Sequence, residues 1–146
     1  MCMQSTVNGS VKTAQLTVPS RLQYFASIRQ LISDFVQDSP LRQEDARDFA
    51  LAAAEAVTNS IKHSRSRDLT ITLDKGEDSV TIKVTDQGRG FKVHQGKYDF
   101  PSPEVQGGRG IPLMRNLTDF LEIKSQRGRG TEVILMKRLK KSGIAS

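Results

Sequence analysis

An alanine-rich amphipathic segment between residues 42 and 64 constrains the fold of this chain more than any other feature. Its apolar side chains recur at helical spacing, and they are Ala46, Phe49, Ala50, Ala53, Ala56, Val57 and Ile61. Spacings of three and four residues place them on one face of an α-helix. Because alanine is small, this face can approach a sheet closely. The segment therefore predicts a long helix, at about 42–64, that packs against a β-sheet.

The segment after this helix has the pattern of a β-hairpin. Two runs alternate apolar and polar side chains, with Leu69, Ile71 and Leu73 in the first and Val80, Ile82 and Val84 in the second. The turn-forming residues Lys-Gly-Glu-Asp at 75–78 lie between them. This combination predicts two antiparallel strands.

The other elements follow from the same reading. We predict a strand at 11–18 and a helix at 21–38 with Ser20 as its N-cap. Residues 1–10 are polar and are expected to fray. Residues 87–109 have no periodic pattern, which in a compact domain indicates a functional segment. The C-terminal part predicts a helix at 111–119, a strand at 121–125, a tight turn at 126–130 and a strand at 131–139.

This order of elements predicts an α+β fold. Helices should cover one face of a mostly antiparallel sheet in a two-layer sandwich. At 146 residues, we expect a single domain, 1–146, with its core at about 12–139. The lone cysteine, Cys2, excludes an internal disulfide. No apolar run has membrane-spanning length and the N-terminus lacks a signal sequence, so we expect a cytoplasmic protein without a membrane partner.

The formal net charge of +6 permits an acidic partner or nucleic acid. Much of the excess sits in the C-terminal tail, at Lys137, Arg138, Lys140 and Lys141. A basic tail is more often solvated than a binding surface, and two Tyr without Trp provide little for base stacking. We therefore expect no specific nucleic-acid partner, although the charge keeps that alternative open.

Two polar groupings suggest chemistry. Glu55 and Asn59 lie one turn apart on one face of the predicted helix, where they offer a base and a neutral oxygen ligand for Mg²⁺. Asp86, Gly88 and Gly90 follow the second hairpin strand. Asp86 can accept a hydrogen bond from an exocyclic amine there, and glycines let a planar base approach the backbone. Alone, either pattern is more often a solvated helix edge or a plain turn.

Two glycine-rich stretches complete the set. Gly107, Gly108, Arg109 and Gly110 open a predicted helix, where backbone N–H groups and a cation favour an anion. Gly128-Arg-Gly130-Thr131 opens the last strand and alone indicates only a hairpin turn.

In this order, the four motifs resemble the conserved boxes of the GHKL ATPase superfamily, over about residues 12–139. Three stretches are similar to the anti-sigma factor serine/threonine kinases: Glu-Ala-Val-Thr-Asn-x-x-x-His at 55–63, Gly-Gly-Arg-Gly-Ile-x-Leu-Met-Arg at 107–115 and Gly-Thr-Glu-Val at 130–133. The resemblance implies the Bergerat fold, with residues 92–107 as the ATP lid.

The resemblance also implies roles for individual residues. Asn59 would ligate Mg²⁺ on the ATP phosphates, and Glu55 would be the general base. Asp86 would bind the adenine amine. The remaining nucleotide-binding positions would be Gly88, Gly90, Gly108, Arg109, Gly110 and Thr131. His63 and His94 lie within the domain, and no phosphoacceptor helix precedes it in this sequence, so we expect that the chain is not a histidine kinase.

The function implied is that of an ATP-dependent serine/threonine kinase in a partner-switching system that regulates transcription under stress. It would phosphorylate a STAS-domain anti-sigma factor antagonist and sequester a sigma factor. The resemblance further implies a homodimer, and a PP2C-type phosphatase in the same pathway. The alternative is a non-catalytic ATP-binding module that switches partners, although Glu55 argues against it because a binder needs no base.

Overall fold

The computed structural model describes residues 2–8, 11–94, 97–99 and 110–140. Within them the strands are β1 (Cys2–Asn8), β2 (Val11–Pro19), β3 (Asp68–Lys75), β4 (Ser79–Asp86), β5 (Lys92–His94), β6 (Lys97–Asp99), β7 (Phe120–Gln126) and β8 (Gly130–Arg138). The α-helices there are α1 (Phe25–Gln37), α2 (Gln43–His63) and α3 (Gly110–Leu117). No helix in the described ranges is long and apolar enough to cross a membrane.

The main sheet has six strands in the order β1-β2-β3-β4-β8-β7. Every neighbouring pair in it is antiparallel. The predicted hairpin is present as β3 and β4, whose inward positions are all buried. The expectation of a two-layer α+β sandwich with a mostly antiparallel sheet is confirmed.

The core lies between this sheet and the helices. Helix α2 buries the predicted alanine-rich face, including Ala46, Ala53 and Ala56, around the fully buried ring of Phe49. Helix α1 adds Ile28, Ile32 and Val36. The sheet meets both with branched residues that include Ile71, Ile82 and Leu135. Small side chains on α2 against branched residues on the sheet bring the helix close to β4 and β8, which places its C-terminal half beside the candidate site.

The expectation that residues 1–10 fray is wrong for Cys2–Asn8. These seven residues form β1 and pair along β2, from Cys2 opposite Thr17 to Asn8 opposite Val11. Without β1, the edge of β2 would present unpaired N–H and C=O groups, and a strand can satisfy them whatever its side chains are. Polarity was therefore a poor guide to this segment.

Two local expectations also need correction. The predicted helix at 21–38 begins with a 3₁₀ turn at Leu22–Tyr24, and Ser20 does not cap it. Instead, the Ser20 N–H donates to the carbonyl of Arg67. The segment 87–109 is not wholly irregular, because β5 and β6 pair within it as a short hairpin. Three-residue strands are too short to show an alternating pattern.

Candidate functional site

A cleft lies where the C-terminal end of α2 faces the ends of β4 and β8 and the first turn of α3. Its empty volume, open mouth included, is about 570 Å³. The walls are mostly apolar, with Ala56, Val84, Ile111, Met114, Ile123 and Val133 among the lining residues. Such a cleft can enclose a flat apolar ring and leaves recognition to the few polar groups inside it.

Asp86 is the buried carboxylate of this cleft, with only 5% of its surface exposed. The Ser60 hydroxyl donates to its Oδ2 atom at 3.0 Å, and the Gly88 N–H donates to Oδ1 at 2.9 Å. Burial raises the pKa of the Asp86 carboxyl above its usual range, although hydrogen bonds from Gly88, Ser60 and the Thr131 backbone oppose the shift. A ligand N–H group that reached this carboxylate would compensate part of the cost of burying its charge.

The segment after Asp86 packs tightly between two other parts of the backbone. A Cβ atom on Gly88 would overlap the carbonyl of Ser64, at the end of α2. Gly90 has a φ of +61°, and a Cβ there would overlap the carbonyl of Gln126. Glycine is therefore required at both positions by the fold itself. This packing requirement is separate from the predicted approach of a base, for which only Gly90 lines the cleft.

Arg89, between these glycines, connects three elements. Its backbone N–H donates to the Ser64 carbonyl at 2.8 Å, and its carbonyl accepts from the Gly128 N–H at 2.8 Å. Its side-chain Nε donates to the carbonyl of His63, the last residue of α2, at 2.8 Å. A guanidinium at this point donates a hydrogen bond to a carbonyl of the last helical turn and complements the negative end of the helix dipole.

The two predicted residues on α2 are placed differently. Asn59 lines the cleft. Glu55 lies one turn earlier, is partly exposed, and is not among the lining residues. In the parts of the chain that are described, no three His, Cys, Asp or Glu side chains cluster to hold a metal ion.

The glycine-rich motifs reach the cleft from the opposite side. Thr131 lines it, and its hydroxyl lies 2.7 Å from that of Ser125. Gly110 is the first residue of α3, next to the lining residue Ile111. Gly108, Arg109 and most of the predicted lid at 92–107 lie outside the described residues.

Sequence reasoning missed Ser60 and Arg89. Both sit inside recognised motifs, Ser60 directly after Asn59 and Arg89 between two glycines. Their hydrogen-bond partners lie 26 residues away in the chain, so no local sequence pattern predicts these contacts. The one available signal was their position within the motifs.

The comparisons with known proteins agree with this arrangement. Residues 18–137 match the model of the histidine kinase-like ATPase domain. The chain is 28% identical over 142 residues to the serine-protein kinase RsbW of Bacillus velezensis, covering 89% of this chain and 88% of the relative. It is 31% identical over 121 residues to the anti-sigma F factor of Clostridium beijerinckii, covering 77% of this chain and 85% of the relative.

A solved structure supports the fold. The crystal structure of the RsbU and RsbW domains of a Mycobacterium tuberculosis protein aligns with a TM-score of 0.64 at 16% identity. The alignment covers 87% of this chain and 33% of that longer one. The family match extends over most of the chain and includes Asn59, Asp86 and Thr131. This protein therefore belongs to the histidine kinase-like ATPase domain family, in the branch of the RsbW-type serine-protein kinases and anti-sigma F factors.

Proposed function

We propose that this protein is an ATP-dependent serine/threonine kinase and anti-sigma factor of a partner-switching system. The observation that carries the proposal is the buried Asp86 carboxylate in an apolar cleft, with Asn59 on the adjoining helix. The names of the relatives, a serine-protein kinase and an anti-sigma factor, supply the reaction and the partner class.

The cleft fits the adenine end of ATP. Asp86 accepts a hydrogen bond from the exocyclic amine, and the apolar walls enclose the ring. Thr131 lies beside this carboxylate in the pairing of β4 and β8. Gly88 and Gly90 hold the loop that closes one side of the pocket, and Gly90 also lines it.

The phosphates extend toward the start of α3, where Gly108, Arg109 and Gly110 contact them in this proposal. Asn59 is the residue that would hold Mg²⁺, through its side-chain oxygen. An amide oxygen suits this hard cation, which usually keeps several waters. The ion would supply positive charge next to the phosphates.

Glu55 is the general base. The hydroxyl oxygen of the substrate serine or threonine forms a bond to the γ-phosphorus, while the bond from that phosphorus to the bridging oxygen breaks and ADP leaves. The hydroxyl proton passes to the Glu55 carboxylate. The partial exposure of the Glu55 side chain leaves its carboxylate accessible to a protein substrate that arrives from solvent.

Glu55→Gln tests the reaction. This change keeps the size and hydrogen bonding of the side chain but removes the base. We expect ATP binding to persist while phosphate transfer to a purified cognate antagonist falls by about 10²–10⁴-fold, measured with radiolabelled ATP. Glu44→Gln, an exposed change in the first turn of the same helix, is the matched control and should leave transfer unchanged.

A second candidate is a non-catalytic ATP-binding module. The position of Glu55 outside the cleft lining favours it. Equal phosphate transfer by wild type and Glu55→Gln would remove Glu55 as the base. If neither phosphorylates a verified partner while both bind ATP, the module replaces the kinase.

The partners in this proposal are a STAS-domain antagonist as substrate and a sigma factor as the sequestered protein. A PP2C-type phosphatase that reverses the phosphorylation and a homodimeric state complete it. We place the system in the cytoplasm, because sigma factors and ATP are found there.

A further inference from the structure

Ser60 and Asp86 form a buried side-chain pair between α2 and β4. The Ser60 hydroxyl is 3.0 Å from the Asp86 Oδ2 atom. Ser60 is 7% exposed and Asp86 is 5% exposed. Both also line the cleft. Ser60 therefore acts inside the site, although the proposed reaction gives it no role.

The hydrogen bonds of Asp86 leave little freedom to its carboxylate. An ionised carboxylate offers about four acceptor positions. The Ser60 hydroxyl uses one position on Oδ2, and the Gly88 N–H uses one on Oδ1. The remaining acceptor positions can take an N–H group of an exocyclic amine.

Of these two donors, Ser60 is distinctive. The Gly88 N–H belongs to the loop that directly follows β4, so it moves with Asp86. Ser60 comes from α2, and it follows Asn59 directly along the chain. Its bond therefore fixes the rotation of the Asp86 side chain relative to the helix that carries Asn59.

We infer that Ser60 is a positioning residue of the nucleotide site. Its hydroxyl holds the Asp86 carboxylate with an acceptor position toward the adenine ring, and it fixes the adenine end of the cleft relative to Asn59. The inference rests on the proposed function, since it requires ATP in this cleft. The inference assigns recognition of adenine to the Ser60–Asp86 pair instead of to Asp86 alone.

The hydrogen bond between Ser60 and Asp86 also affects the protonation of the Asp86 carboxyl. The Ser60 hydroxyl is one of the hydrogen bonds that lower the pKa of Asp86 against the opposing effect of burial. Among the described residues, the other charged or titratable groups that line the cleft are His63, from α2, and Arg89, from the loop after β4. The described parts of α3, β7 and β8 contribute only uncharged side chains to this lining.

Calorimetric titration of the full chain with ATP and excess Mg²⁺, between pH 5 and 8, tests this inference. Relative to wild type, Ser60→Ala should weaken ATP binding about tenfold at pH 7.5, the size expected for one lost hydrogen bond to a charged group. The acid limb, where affinity falls as Asp86 takes up a proton, should move to higher pH. Ser60→Thr, which keeps the hydroxyl, should restore the affinity and the position of this limb.

Ser39→Ala is the matched control, because Ser39 is also buried but donates to the Val36 carbonyl. It should leave ATP affinity and its pH profile unchanged. If Ser60→Ala does not fold, Ser60→Cys replaces it, since a thiol has similar size and is a weak donor. The Cys variant should then show the same direction of shift.

The outcomes separate the inference from the proposed function. If wild type does not bind ATP at all, the proposed function fails. If wild type binds and Ser60→Ala shows the same affinity and acid limb, Ser60 does not position Asp86. A loss of affinity with an unmoved acid limb and no rescue by Ser60→Thr would indicate only altered packing, which also overturns the inference.

Discussion

At the residue scale, ligand recognition by Asp86 and the stability of the fold place opposite requirements on this carboxylate. The proposed recognition of adenine requires a carboxylate inside an apolar cleft, but burying that charge raises the pKa of Asp86 and costs stability. Donors from Ser60 and Gly88 reduce this cost without removing it. In the ligand-free protein the charge of Asp86 is therefore only partly compensated, and a ligand that donates a hydrogen bond to this carboxylate would stabilise the folded state.

Asp86→Asn should separate the two requirements. ATP affinity should fall by about ten- to a hundredfold, because an amide replaces a charged acceptor and can direct an N–H group at the amine. At neutral pH, the ligand-free variant should have a melting temperature at least as high as wild type, since no charge is buried. Calorimetric titration and thermal unfolding measure these two effects.

Asp74→Asn is the matched control, because Asp74 lies on β3 and accepts from the Thr13 hydroxyl at 2.6 Å, away from the cleft. It should leave ATP affinity unchanged. Wild-type affinity in Asp86→Asn, with the fold intact, would exclude Asp86 as the adenine contact.

At the element scale, the end of α2 depends on a segment 26 residues further along the chain. Arg89 donates from its Nε atom to the His63 carbonyl and from its backbone to the Ser64 carbonyl. Arg65 follows with a φ of +59°, so the chain turns through a left-handed residue directly after the helix. The helix and the loop after β4 are thus held together at the mouth of the cleft.

Arg89→Ala should therefore destabilise the protein by about 1–2 kcal/mol through the lost cap and helix-end charge. The two backbone hydrogen bonds of Arg89 should remain. Urea unfolding followed by circular dichroism measures the free energy of unfolding. Arg47→Ala, an exposed arginine near the start of the same helix, should change it by less than about 0.5 kcal/mol. Equal losses in the two variants would contradict a capping role.

At the scale of the whole molecule, an ion pair lies at the end of the sandwich opposite the cleft. Asp38, directly after α1, lies with its Oδ2 atom 3.1 Å from Nζ of Lys75 on β3, and 4.0 Å from Nζ of Lys12 on β2. Lys75 also stands over the Phe35 ring, 4.5 Å from its centroid. A hydrogen bond from Lys75 and the charges of both lysines lower the pKa of Asp38.

The two shifted carboxyls act oppositely on stability as pH changes. The pKa of Asp38 is lower in the folded state, so its contribution is present above the pKa of an unfolded aspartate and is lost as pH falls through the folded value. The pKa of Asp86 is higher in the folded state, so its contribution is present at low pH and is lost as pH rises.

Asp38→Asn should therefore lower the free energy of unfolding near pH 7, and the difference from wild type should shrink as pH falls below about 4. Urea unfolding at a series of pH values measures it, and added salt should reduce the difference because Asp38 is exposed. Asp34→Asn, which removes a carboxylate whose bonded partner is the neutral Gln30, should change the free energy of unfolding near pH 7 by less. A difference that stays constant down to pH 3 would contradict the linkage.

Much of this molecule could be predicted from local sequence pattern. The α2 face and the β3–β4 hairpin followed from periodicity, because side-chain direction repeats every 3.6 or two residues whatever the rest of the chain does. Asp86 and Asn59 could be selected from motif order, and the structure brings both to one cleft. That these two residues and the other proposed site residues act on ATP stays a prediction.

Only the tertiary structure decided which groups meet. It paired the polar β1 with the edge of β2, joined Ser60 to Asp86, and set Arg89 on the end of α2. It also showed that Gly88 and Gly90 are needed where backbones touch. The physical reason is that periodicity and turn preference are properties of neighbouring residues, whereas a hydrogen-bond partner, a free strand edge or a close backbone contact exists only once distant segments have packed.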